Sequence, residues 1–141
     1  MSADTIDDSE SSTELPRGNE TVLLIEDERG VRSFVHGVLT RCGYTVLDAP
    51  DGLQAIALAT KHTAPIDLVI TDVVMPGLGG SRAADYIRQL HPESKVLFIS
   101  GYTDDAILRN GVSWEDVNFL EKPFTTTSIA RKVRETLNAV A

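Results

Sequence analysis

The 141-residue chain has one cysteine, Cys42, which excludes an intrachain disulfide and the small stapled folds that depend on one. Because Cys42 falls in an apolar helical pattern, a buried thiol in a reducing compartment is expected. Long hydrophobic runs are also lacking: none approaches the ~20 residues that a bilayer-spanning helix needs. The chain begins acidic, without the basic and apolar regions of a secretion signal, which predicts a cytoplasmic protein with no membrane insertion. Cations are scarce, 13 Lys and Arg against 21 Asp and Glu, for a formal charge of −8. With no basic stripe to neutralise phosphates, direct nucleic-acid binding is not expected.

Much of that charge sits at one end. Residues 1–20 carry Asp4, Asp7, Asp8, Glu10, Glu14 and Glu20 against Arg17, leaving −3 for the remainder. Residues 1–19 have too little apolar surface to bury and are read as a disordered acidic leader or linker, with a folded domain over 20–141.

From Thr21 the pattern alternates short β-branched runs with helical stretches. Strands are expected at Thr21–Ile25, Tyr44–Leu47, Ile66–Thr71, Lys95–Ile99 and Val117–Leu120. The first helix carries Val31, Phe34, Val35, Val38 and Leu39 as a buried stripe and ends at Gly43. The second opens at Asp51 and Gly52 and buries Ala55, Ile56 and Ala59. A Pro76, Gly77, Gly79, Gly80 loop leads to the third, with Ala83, Ala84, Ile87 and Leu90. Tyr102 to about Arg109 reads as a weak fourth helix. Thr125–Ala139 is the last, with Ile129, Val133, Leu137 and Val140 on one face.

Five β-α units with short connections predict a flavodoxin-like, doubly wound α/β fold. Its five parallel strands take the order 2-1-3-4-5, with helices on both faces. In such sheets ligands gather beyond the carboxyl ends of the strands. The apolar runs here stop there at polar residues: Glu26 and Asp27 after TVLLI, Asp72 after DLVIT, Ser100 after KVLFI and Lys122 after NFLE. Strands 1 and 3 are neighbours at the switch point, so Glu26, Asp27 and Asp72 converge. Three carboxylates repel one another unless a cation joins them, and an all-oxygen set with few protein ligands suits Mg²⁺, with Mn²⁺ as the alternative. Lys122 brings an ammonium and Ser100 a hydroxyl.

Each of these residues has a plainer reading. Asp72 can cap the turn that follows it; Glu26 and Asp27 can be helix-capping acids; Ser100 alone is a turn residue; Phe119 can be simple core. His36, His62 and His91 share no metal-ligand spacing and read as solvated surface, the last two near helix ends where a cation suits the dipole. Trp114 covers a core edge or marks a contact surface.

Taken together and in order, LLIEDE, ITDVVMPGLGG, FISGYT and FLEKPF resemble the receiver domains of two-component response regulators, over Glu20 to about Leu137. The resemblance implies that Asp72 is a phosphoacceptor attacking a phosphohistidine, with Lys122 and Ser100 holding the phosphoryl oxygens. Asp27, Asp72, the backbone carbonyl of Val74 and Glu26, directly or through water, would bind Mg²⁺. Phe119 would be the switch aromatic, relaying the change to the face made by the fourth helix, the last strand and the last helix. Pro123 is the proline that usually follows a cis peptide in this family. Apolar Val74 implies a long-lived phosphoryl state, because it cannot orient an attacking water.

The implied partner is a histidine kinase or a histidine phosphotransfer protein. The chain would be a signalling domain, not a turnover enzyme, that catalyses its own phosphorylation and slow dephosphorylation, as a monomer or weak dimer. The SGYTDDAILRNGV and FLEKPFT segments are similar to receivers at the C-terminus of hybrid sensor histidine kinases, and with no output domain after the last helix that setting is favoured over a stand-alone receiver. Two rivals remain: an Asp-nucleophile phosphate-ester hydrolase, whose DxDxT after strand 1 is missing, and an inactive interaction module.

Overall fold

A computed structural model describes residues 15–72, 79–101 and 118–139. The elements are β1 (Thr21–Ile25), α1 (Arg29–Arg41), β2 (Thr45–Ala49), α2 (Gly52–Lys61), β3 (Leu68–Asp72), α3 (Gly80–Leu90), β4 (Lys95–Ser100), β5 (Asn118–Glu121) and α4 (Thr126–Asn138). The strands form one parallel sheet in the order β2-β1-β3-β4-β5, as expected. The expected helix at 102–109, Trp114 and the backbone carbonyl of Val74 lie outside the described residues.

Alternation along the strands builds two cores. Val22 and Leu24 of β1, Leu68 and Ile70 of β3, and Leu97 and Ile99 of β4 pack under α1 and α4, against Val35, Val38, Leu39, Ile129 and Val133. Leu23, Ile25 and Val69 face the other way, onto Ala55 and Ala59 of α2 and Ala83, Ala84 and Ile87 of α3. Being covered on both faces, β3 is buried at all five positions.

Some boundaries and exposures differ from the sequence reading. β2 runs on to Ala49 because its register with β1 continues through Ile25. β3 starts two residues late: Ile66 already docks in the α2/α3 core, and the Asp67 carboxylate accepts the Thr21 N–H at 2.9 Å. Phe34 is not in the buried stripe of α1; it is 40% exposed and its ring stacks on Phe124 at 6.3 Å. Leu90 is likewise 41% exposed. Gly43 ends α1 with φ 106°, a left-handed conformation that glycine adopts without strain. Cys42 is free and buried. His36 is only half-exposed, with Nδ1 2.7 Å from Asp48 Oδ2.

The packed chain also begins before residue 20. Leu15 packs against the α1/α4 core, the Gly18 N–H donates to the Cys42 carbonyl at 3.0 Å, and Arg134 of α4 donates to the Arg17 carbonyl at 3.1 Å. Among the described residues no helix is long and apolar enough to cross a membrane.

Candidate functional site

The carboxyl ends of β1, β3 and β5 bring Glu26, Asp27, Asp72 and Lys122 into one crevice, beside the end of β4. β1 ends at Ile25, so Glu26 and Asp27 follow at the strand end and Glu28 becomes the N-cap residue of α1. Glu26 is fully buried. Its Oε2 accepts the backbone N–H of Glu28 at 3.0 Å, while Arg32 of α1 donates to the Glu26 carbonyl at 2.7 Å. These contacts turn the Glu26 carboxylate under the start of the helix. Asp27, by contrast, is exposed.

Asp72, the last residue of β3, is 3% exposed. It shares the strand's Leu68 and Ile70 side, so its carboxylate is directed toward the α1/α4 layer. There it accepts from Lys122 Nζ at 2.8 Å through Oδ2. Lys122 follows β5 directly and is tied back by its N–H to the Ser100 carbonyl at 2.9 Å, so the ends of β4 and β5 are held together. Ser100 itself is fully buried. The Lys122–Pro123 peptide is cis.

Lys122 is surrounded by acids. Its Nζ lies 2.8 Å from Asp72 Oδ2, 2.8 Å from Glu28 Oε1 and 3.1 Å from Glu26 Oε1. Burial works against its charge, yet the hydrogen bonds to Asp72 and Glu28 and the nearby Glu26 carboxylate outweigh burial and hold the ammonium charged well above the ordinary lysine range. Glu26 shows the opposite balance. Burial pushes its carboxyl up to about 7, against the Glu28 N–H and Lys122, which both favour the charged form. Its Oε1 has the ammonium as a Coulombic neighbour but no hydrogen-bond partner among the described residues.

Three carboxylates around one ammonium, with Asp27 beside two of them, leave the crevice rich in acid groups for a single cation. Ligand oxygens of Glu26, Asp27 and Asp72 all lie within 4.8 Å of one another. An all-oxygen set with one buried unbonded oxygen and one solvent-facing member fits a small hard divalent cation. The crevice can therefore take a cation beside Glu26, Asp27 and Asp72.

Every expected site residue in the described parts lies at or near this end of the sheet: Glu26, Asp27, Asp72, Ser100 and Lys122 at strand ends, with Phe119 inside β5, opposite Phe98 of β4 and half-buried. The capping alternative for Glu26 and Asp27 does not hold, since the cap position belongs to Glu28, whose side chain makes no capping bond and goes to Lys122 instead. Sequence reading missed Arg32, and it offered Glu28 as a helix cap or metal ligand rather than as a partner of Lys122. Glu28 stood in the quoted EDE triplet, but nothing local tells that a lysine 94 residues away reaches it.

Comparison with known proteins identifies the family and the fold. Residues 22–134 match the response regulator receiver domain. The chain is 39% identical over 128 residues to the sensor kinase CckA of Brucella abortus, covering 91% of this chain and 13% of that kinase. It is 30% identical over 118 residues to the response regulator receiver protein CpdR of the same organism, covering 84% and 97%. Among solved structures, the receiver domain of the hybrid histidine kinase CckA superposes with TM-score 0.71 at 36% identity, covering 84% of this chain and 99% of that one. A response regulator receiver protein from Sinorhizobium medicae gives TM-score 0.73 at 32% identity, covering 86% and 96%. The match to the receiver model, the relatives and the shared fold together make this chain a member of the response regulator receiver domain family, and so a signalling domain of two-component systems.

Proposed function

We propose that Asp72 accepts a phosphoryl group from a phosphohistidine of a histidine kinase or a histidine phosphotransfer protein. The observation that carries this reading is the Lys122 ammonium on Asp72 Oδ2, inside a cluster of carboxylates that calls for a further cation. Asp72 Oδ1 or Oδ2 attacks phosphorus as the P–N bond breaks, and the departing imidazole nitrogen keeps the electron pair and takes up a proton. Asp72 needs no base, because an aspartate paired with an ammonium is already ionised. The product is an acyl phosphate on Asp72.

Phosphoryl transfer asks the protein for position and positive charge. Lys122 exchanges its hold on the Asp72 carboxylate for a phosphoryl oxygen, and the Ser100 hydroxyl takes another. Glu26, Asp27, Asp72 and the backbone carbonyl of Val74 would hold Mg²⁺, or Mn²⁺, which supplies the remaining charge neutralisation at the phosphoryl oxygens. Phe119, half-buried beside Phe98, would follow Ser100 inward and alter the face that includes β5 and α4. The domain acts in the cytoplasm as a monomer or weak dimer and catalyses its own phosphorylation and slow dephosphorylation. Its likeness to a receiver of a hybrid kinase supports a place at the end of such a kinase.

Incubation with Mg²⁺ and acetyl phosphate should give a mass increase of one phosphoryl group that is lost without the metal and in Asp72→Asn. No adduct on the wild-type chain would leave an inert interaction module; steady turnover of simple phosphate esters would point to a hydrolase.

A further inference from the structure

The strand that carries Asp72 makes a second set of contacts on its opposite side. Thr71 alternates with Asp72 and shares the side of Val69, toward α2 and α3. It is fully buried, and its hydroxyl donates to the Asp72 carbonyl oxygen at 3.1 Å. Over the same oxygen sits Gly80, the first residue of α3. A Cβ at that position would lie 1.9 Å from the Asp72 oxygen, 2.7 Å from Thr71 Oγ1 and 3.0 Å from the Asp72 carbonyl carbon.

Those separations are well inside van der Waals contact, so any side chain would force the strand end and the helix apart. Helix propensity does not explain the glycine, since alanine is the better helix former. Two residues therefore bear on one carbonyl, Gly80 by permitting the close approach of α3 and Thr71 by its hydroxyl. That carbonyl carbon is bonded to the Asp72 Cα, so pushing the strand end away from α3 displaces the Cα and carries the carboxylate on the other side of the sheet with it. Lys122, Glu26 and Asp27 come from other strands and would not follow.

We propose that Thr71 and Gly80 are positioning residues for the phosphoacceptor, holding Asp72 in register with the cation ligands of β1 and the ammonium beyond β5. The proposal rests on the reading of Asp72 as acceptor and metal ligand. Its signature is a weakened cation site, because a displaced Asp72 changes its distance to Glu26 and Asp27.

The test compares the wild-type chain with Thr71→Ser, Thr71→Val and Gly80→Ala by two measurements: the rise in melting temperature with added Mg²⁺, and the rate of adduct formation from acetyl phosphate as Mg²⁺ is varied. Gly80→Ala should lower the metal-free melting temperature and raise the half-saturating Mg²⁺ concentration about tenfold or more, as expected of a group misplaced by about 1 Å. Thr71→Val should raise it roughly threefold to tenfold, the scale of one neutral hydrogen bond, while Thr71→Ser keeps the hydroxyl and stays near wild type. Lower melting temperatures with unchanged Mg²⁺ half-saturation would mean simple helix-on-strand packing and overturn the proposal. Should Gly80→Ala fail to fold, the Thr71 pair decides, equal Mg²⁺ dependence of Val and Ser overturning it. A wild-type chain that neither gains stability with Mg²⁺ nor takes the phosphoryl group overturns the acceptor reading as well.

Discussion

Glu26 is costly where it stands. Its carboxylate is fully enclosed, burial pushes its pKa up to about 7, and the one ammonium near it is shared with Asp72 and Glu28. The cation ligation proposed for Glu26 therefore comes at the expense of stability. Glu26→Gln keeps the shape and an oxygen to accept the Glu28 N–H, but removes the buried charge. Without Mg²⁺ the variant should melt a few degrees higher, corresponding to about 1 kcal/mol. With Mg²⁺ it should show a much smaller rise than wild type. A lower metal-free melting temperature would mean that the carboxylate stabilises the fold. At this scale the sequence showed the residue types of the site well, because each stands at the end of an apolar run. It did not show Glu28 on Lys122 or Thr71 on the Asp72 carbonyl, since a contact's partner and a side chain's direction depend on the assembled strands.

Among the elements, α4 does more than cover the sheet. Thr125 caps it with Ser128 in a reciprocal capping box, and Arg134 reaches from it to the chain before β1. The guanidinium lies 2.6 Å from Glu20 Oε2 and 3.2 Å from Oε1, and also donates to Tyr44 Oη at 3.3 Å. The hydrogen bonds from Arg134, opposed by burial, hold the Glu20 carboxyl below its ordinary value of 4.5. A lowered folded-state pKa gives stability that is present above the unfolded value and lost as pH falls through the folded one. Arg134→Met should therefore cost about 1 kcal/mol in urea unfolding at pH 7, the scale of a partly exposed, well-formed pair, and the gap to wild type should close as pH drops below 4.5. A gap that stays constant down to acid pH would assign the loss to packing. Composition placed residues 15–19 in a loose leader because it counts apolar residues and cannot see Leu15 docking on a core built from distant helices. Phe34 failed for a related reason: helical periodicity marks a stripe, but the far edge of the stripe meets Phe124 and solvent instead of the sheet.

For the molecule as a whole, strict β-α alternation made the parallel sheet and its order readable before any contact was known. The order then brings β1 and β3 side by side, which turns Glu26, Asp27 and Asp72 from separate polar stops into one site. The two layers divide the work: the α1/α4 side receives the Asp72 carboxylate and Lys122, and the α2/α3 side braces the Asp72 backbone. Strand ends shifted by up to two residues because pairing with neighbours, rather than local propensity, sets where a strand starts and stops. The phosphoacceptor proposed at Asp72 is located by peptide mass mapping of the acetyl phosphate-treated protein before and after hydroxylamine, which cleaves acyl phosphates. The phosphoryl group should lie on the peptide containing Asp72 and be released by hydroxylamine. A hydroxylamine-resistant group, or one carried on a peptide without Asp72, would exclude Asp72 as the acceptor.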